Sequence, residues 1–160
     1  MSHDELIMNV FVAFATDMKQ RPALTLRGGN DLDEYRTAST YDSQTDTIAD
    51  AYLEQYCWGI GYLDADSWRH YLPYLIEFTL RHLEHDNNVV DALLNSLRPP
   101  DRDPPRLESL TEHQQAVIRR FLELLAFTEQ SAHQDLACVV LEERWMPDAI
   151  YRDDTGPYTH

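Results

Sequence analysis

The sequence predicts an all-α fold, a single irregular bundle of about six helices over residues 1–150 with a flexible tail at 151–160. Three observations predict it. Apolar residues recur at helical spacing in several separate segments, and the patterns Ser2-x-x-Glu5 and Thr111-x-x-Gln114 are capping boxes that open two of them. Prolines and glycines fall between the segments, and only Ala23 to Arg27 reads as extended, which is too little to build a sheet.

The first helix is expected from Asp4 to Lys19, with Leu6, Ile7, Val10, Phe11, Phe14 and Met18 on one face and Pro22 ending the period. Residues 21–43 carry no helical period, and Arg27-Gly28-Gly29-Asn30-Asp31 reads as a turn. That turn has neither the preceding strand nor the following Lys-Ser or Lys-Thr of a phosphate loop. A second helix is expected over Asp46 to Trp58, with Ile48, Ala49, Tyr52 and Tyr56 inward and Gly59 and Gly61 stopping it.

The third helix begins near Asp64 or Asp66. At about 100° per residue, Trp68, Leu72, Leu75, Ile76, Thr79 and Leu83 share one side, flanked by Tyr71, Phe78 and His82. His70, Tyr74, Glu77, Arg81 and His85 share the other. Pro73 lacks a backbone donor and clashes with the carbonyl of Arg69, so a kink at that point or a restart at Leu72 is expected. A short fourth helix covers Asn88 to Leu97 and meets the connection RPPDRDPPR. The capping box at Thr111 opens a fifth, with Val117, Ile118, Phe121, Leu122, Leu124 and Leu125 inward. A sixth spans Ser131 to Trp145, with Leu136, Cys138, Val139 and Val140 as core candidates and Pro147 beyond its end.

Charge narrows the partners. Against 28 acidic residues there are 13 Lys and Arg, a formal net charge of −15, and no basic patch stands out in the sequence. Such a surface repels phosphate backbones and anionic lipid, which argues against nucleic-acid and membrane binding and favours a basic protein partner. The N-terminal apolar run begins with acids and is broken by Asn9, so it reads as a helix rather than a signal peptide. Cys57 and Cys138 sit among apolar or aromatic neighbours, consistent with free thiols in the cytoplasm.

Chemical motifs are sparse. His82 and His85, at i and i+3, are weak metal candidates with no second ligand cluster; their simpler role is at the negative end of the helix. Asp42, Asp46 and Asp50 recur at helical spacing, but a calcium loop starting at Asp42 would have Leu53 in place of its closing Glu. No metal, cofactor or catalytic constellation is expected. The polar stripe His70, Tyr74, Glu77 and Arg81 is the candidate binding face, with Tyr71 beside it.

Trp68-Arg69-His70-Tyr71-Leu72-Pro73, then Leu97-Arg98-Pro99-Pro100, then Leu110-Thr111 with Gln114, Val117, Phe121 and Leu122, together resemble a family of small bacterial proteins of unknown function. The resemblance covers roughly residues 46–126. It implies bacterial origin and an all-helical fold and supplies no site. The functional expectation is a cytoplasmic, non-enzymatic interaction module, in one form an immunity-type inhibitor of a basic toxin or nuclease. The alternative is an enzyme or small-ligand binder with a pocket beside the helix that Pro73 interrupts, and a homo-oligomer is a third possibility.

Overall fold

The Ser2 hydroxyl accepts the Glu5 N–H at 3.1 Å and starts α1, His3–Ala13. The chain then leaves helical geometry at the fully buried Phe14 (φ −107°, ψ 14°) and resumes as α2, Ala15–Lys19. One expected helix is therefore two. The bend lets α1 lie against two later helices, α5 (Ala65–Arg81) and α7 (Glu112–Phe127), while α2 stays on α5. The computed structural model describes residues 2–149, so the expected tail at 151–160 lies outside the described residues.

The largest correction concerns the glycine turn. Thr25 caps Gly28 at 2.9 Å, and Leu26–Asp33 is a helix, α3, with Gly28 and Gly29 buried inside it. Glycine is a poor helix former, but here it permits contact that no other residue allows. A Cβ on Gly29 would lie 2.5 Å from Gly59 O and 2.9 Å from Gly59 Cα. Gly59 belongs to a 3-10 segment, Cys57–Tyr62, which continues directly from α4, Asp50–Tyr56. The expected stop at Gly59 and Gly61 is thus a change of helix type, made where two backbones touch. The second helix starts later than expected, at Asp50; Ala49 is exposed at its cap, and the buried face is Tyr52 and Leu53.

α5, Ala65–Arg81, is capped by Asp64, whose carboxylate accepts the Ser67 N–H at 3.2 Å. It runs through Pro73 without restarting at Leu72. An interior proline costs about 3 kcal/mol, whereas fully burying one large apolar side chain contributes about 1.5–3 kcal/mol. Trp68, Tyr71, Leu72, Leu75, Ile76 and Phe78 are all buried, so packing outweighs the lost hydrogen bond. α5 contacts α1, α2 and α6 and forms the centre of the bundle.

α6, Asn88–Ser96, is capped by Asn87, and α7, Glu112–Phe127, carries both halves of the capping box expected at Thr111 and Gln114. Between them, the Pro99–Pro100 and Asp103–Pro104 peptides are cis. The last expected helix begins later, as α8, Gln134–Val140, and ends as a π turn, Leu141–Trp145. Val140 is buried as expected, whereas Val139, also expected in the core, is exposed and Leu141 is buried. Trp145 secures the end by donating its indole N–H to Leu97 O at 3.0 Å. The fold is all-helical with eight α-helices, against the six expected, and no strand among the described residues.

Candidate functional site

The polar stripe of α5 divides into two environments. His70 is half-buried, with Nδ1 3.1 Å from Asp17 O and its ring edge-on to Tyr71 at 4.9 Å. Burial lowers its pKa below the usual histidine value. His70, Tyr71 and Tyr74 share a surface cavity of about 530 Å³ with Tyr41 and residues of the α2 end. Glu77 and Arg81 are not part of it. Arg81 forms a two-pronged pair with Asp50 at 2.9 and 3.0 Å, with Glu77 3.8 Å from the same guanidinium. The Arg81 hydrogen bond, with a smaller one from His82, draws the Asp50 carboxyl down to about 2.

His82 and His85 do not share a helical face, because α5 ends at Arg81. His82 is the cap residue with Nε2 3.2 Å from Asp50, while His85 offers its backbone carbonyl to His133. Among the described residues no group of His, Cys, Asp and Glu is arranged to hold a metal ion. Asp42, Asp46 and Asp50 diverge likewise. Asp46 is buried between Arg27 (2.9 Å) and the Tyr52 hydroxyl, which donates to it at 2.6 Å.

That buried network positions α3. Tyr52 OH accepts the Arg27 N–H and Tyr71 OH accepts the Leu26 N–H, both at 3.3 Å, so the first turn of α3 is held by α4 and α5. Burial raises both phenols, Tyr71 to about 12, and the Asp46 bond raises Tyr52 further; both remain protonated. With its inner side fixed in this way, α3 and the 3-10 segment present an outer face of exposed aromatics and acids.

Trp58 is 50% exposed, Tyr62 is exposed, and Tyr35 stands fully in solvent at φ 62°. A side chain other than glycine in that left-handed region is strained, and Tyr35 has no burial to offset it. Tyr62 donates its hydroxyl to Asp33 at 3.2 Å, a bond that raises its pKa. Asp33, Glu34 and Trp58 line one shallow surface depression. Elsewhere four cations are paired: Arg69 with Asp17 (3.1 Å) and Arg98 with Glu143 (2.7 Å), as well as Arg27 and Arg81 above.

None of Tyr35, Trp58 or Tyr62 stands out in the sequence as a binding residue. An aromatic beside a glycine reads as core, and only the packing of the 3-10 segment, which buries Cys57 and Ile60, shows that Trp58 and Tyr62 point outward. No helix among the described residues is long and apolar enough to cross a membrane. A family model described as "Family of unknown function (DUF6714)" matches residues 2–149. No curated protein and no solved structure matches the chain.

Proposed function

For a chain that belongs to DUF6714, a family of unknown function, we propose a non-enzymatic role: it binds a basic protein through the aromatic and acidic face of α3 and the 3-10 segment. The observation that carries the reading is the grouping of exposed Trp58 and Tyr62 with Asp33 and Glu34 on a chain of net charge −15. Trp and Tyr are the side chains most enriched among residues that dominate binding energy, and a negative rim accelerates encounter with a positive surface. One concrete form is an immunity-type inhibitor that covers the positive substrate face of a toxin or nuclease. The free thiols Cys57 and Cys138 support a reducing, cytoplasmic setting.

The test is affinity capture with the wild-type chain beside a Trp58→Ala/Tyr62→Ala variant and an Asp33→Asn/Glu34→Gln variant, read by quantitative mass spectrometry. The expected result is a basic protein that wild type retains, that both variants lose by at least about tenfold, and that high salt releases. For the inhibitor form, adding the chain to that purified protein abolishes its activity. Retention that ignores the face, or failure to retain any basic protein, overturns the proposal. A dimer in light scattering that the aromatic variant dissociates would replace the basic partner with a second copy.

The cavity bounded by His70, Tyr71 and Tyr74 favours a second reading, a small-ligand pocket beside α5. Fragment screening by NMR checks it: hits that shift the His70 ring signals and disappear in His70→Ala support it, and a screen without such hits removes it.

A further inference from the structure

Arg102 and Arg106 bring two guanidinium groups to one carbonyl oxygen with no carboxylate between them. Their Nη1 atoms lie 3.5 and 3.4 Å from Leu63 O; Arg102 also donates to Gly61 O, and Arg106 Nη1 to Ile60 O at 3.4 Å. Neither forms an ion pair among the described residues, although the protein is strongly acidic. Arg106 is only 4% exposed. Its guanidinium lies over the Trp68 ring at 4.8 Å, and its Nε and Nη2 donate to no acceptor among the described residues.

Buried charges in proteins are ordinarily paired, because an uncompensated one forfeits its hydration without return. Two acids act on Arg106 without pairing to it, Asp64, which accepts the Ser67 N–H at 3.2 Å, and Asp101. Asp101 accepts the N–H groups of Arg102, Arg106 and Leu107 at 2.8 Å each and that of Glu108 at 2.9 Å. Those four bonds hold Asp101 ionised and fix the loop that carries both arginines, so the guanidinium groups are set in place before any ligand arrives. Burial, with the neighbouring Arg102 charge, lowers Arg106 to about 10, which leaves it cationic at neutral pH.

Both arginines line a cavity of about 380 Å³. Cys57 and Trp58 of the 3-10 segment form a second wall, and Asp91, Asn95 and Ser96 of α6 a third. Arg98, also on the lining, is neutralised by Glu143 at 2.7 and 3.0 Å. Trp58 supplies an aromatic surface for the body of a ligand, and Asp91 and Asp101, both on the lining, disfavour a second anionic group on it.

We propose that this cavity binds a small organic anion with a single phosphate or carboxylate head group, which Arg102 and Arg106 hold and Trp58 covers. The site shares Trp58 with the α3 face, but the arginines that hold the head group lie outside that face, and it makes no use of a protein partner. Guanidinium forks match the planar or trigonal oxygens of either head group through paired charge-assisted hydrogen bonds.

The experiment titrates phenyl phosphate, benzoate and inorganic phosphate, at constant ionic strength in chloride, into the full chain and into Arg102→Gln, Arg106→Lys and Arg120→Gln variants. Binding is read by calorimetry and tryptophan fluorescence, with circular dichroism to verify folding. At least one of the two aromatic anions is expected to saturate with a dissociation constant near about 1 mM or below. Arg102→Gln, an exposed position, and Arg106→Lys, which keeps the charge but loses the fork, each weaken it by about tenfold or more. Arg120→Gln on the far helix leaves it unchanged. Which aromatic anion binds identifies the head group, and inorganic phosphate reports whether the head group alone suffices. If neither aromatic anion saturates on wild type, or if Arg102→Gln or Arg106→Lys binds as tightly as wild type, the proposal fails.

Discussion

Replacing Gly29 with alanine tests whether backbone contact between α3 and the 3-10 segment overrides helix propensity. The added Cβ would meet Gly59 at 2.5 Å from its oxygen, 2.9 Å from its Cα and 3.0 Å from its carbonyl carbon. Carbon atoms at ease sit about 3.5–4.0 Å apart, so α3 must retreat by roughly half an ångström or more. Because the obstructing atoms are backbone, no rotamer change relieves them. Overpacking costs about 1–3 kcal/mol, here toward the upper end, and the better helix propensity of alanine returns about 1 kcal/mol. The expected net loss is about 1–2 kcal/mol. With a urea slope of about 2 kcal/mol/M, the unfolding midpoint falls by about 0.5–1 M. Gly61→Ala is the control, since nothing lies within 4 Å of the Cβ it would add; its midpoint stays within about 0.5 kcal/mol of wild type. A Gly29→Ala protein as stable as wild type in tryptophan-monitored urea unfolding would refute the argument, as would Gly61→Ala suffering equally.

Asp50 is drawn to about 2 in the folded state, chiefly by the Arg81 hydrogen bond, from an unfolded value near 4. Its contribution is therefore present above pH about 4 and lost as pH falls toward 2; Asp50→Asn should flatten the acid limb of stability in that window, and superimposable limbs would count against the pair. His70 acts in the same direction at a higher pH: burial lowers its pKa, the unfolded state takes the proton first, and stability falls as pH drops below about 6.5. An NMR titration should place the His70 midpoint below that value. Burial raises the Cys57 thiol, so in a native thiol-reagent assay Cys138 reacts first and Cys57 only as the chain unfolds; equal rates would refute its enclosure. Thr111→Ala removes the acceptor of the Gln114 N–H at 3.0 Å, with an expected cost of about 1 kcal/mol and a melting point lower by about 2–4 °C in calorimetry.

Helices whose ends carry their own chemistry are legible without a fold. Ser2 and Thr111 cap where expected, and Asp64 caps as one of its two candidates, because the orphan N–H groups of a helix start need a side-chain acceptor within three residues, a strictly local requirement. The apolar stripe of α5 from Trp68 to Ile76 is equally local, as it follows from the helical period alone. How much of the opposite stripe would be covered is not local. His70 and Tyr74 are half-buried because α2 lies across them, whereas Arg81 reaches past the last turn to an aspartate 31 residues earlier.

The sequence by itself determined the class: an all-helical chain, the caps at Ser2 and Thr111, the α5 core stripe and a strongly negative charge. These follow from side-chain period, capping and composition. Only the tertiary structure decided that Gly28 and Gly29 form a helix, that Pro73 interrupts nothing, and that Trp58 and Tyr62 face outward. It likewise decided that Arg102 and Arg106 meet at Leu63, 39 and 43 residues away along the chain. The reason is common to all four. Each conformation is locally disfavoured or locally ambiguous and is selected by contacts between residues distant in sequence, energies that no window of neighbouring residues contains.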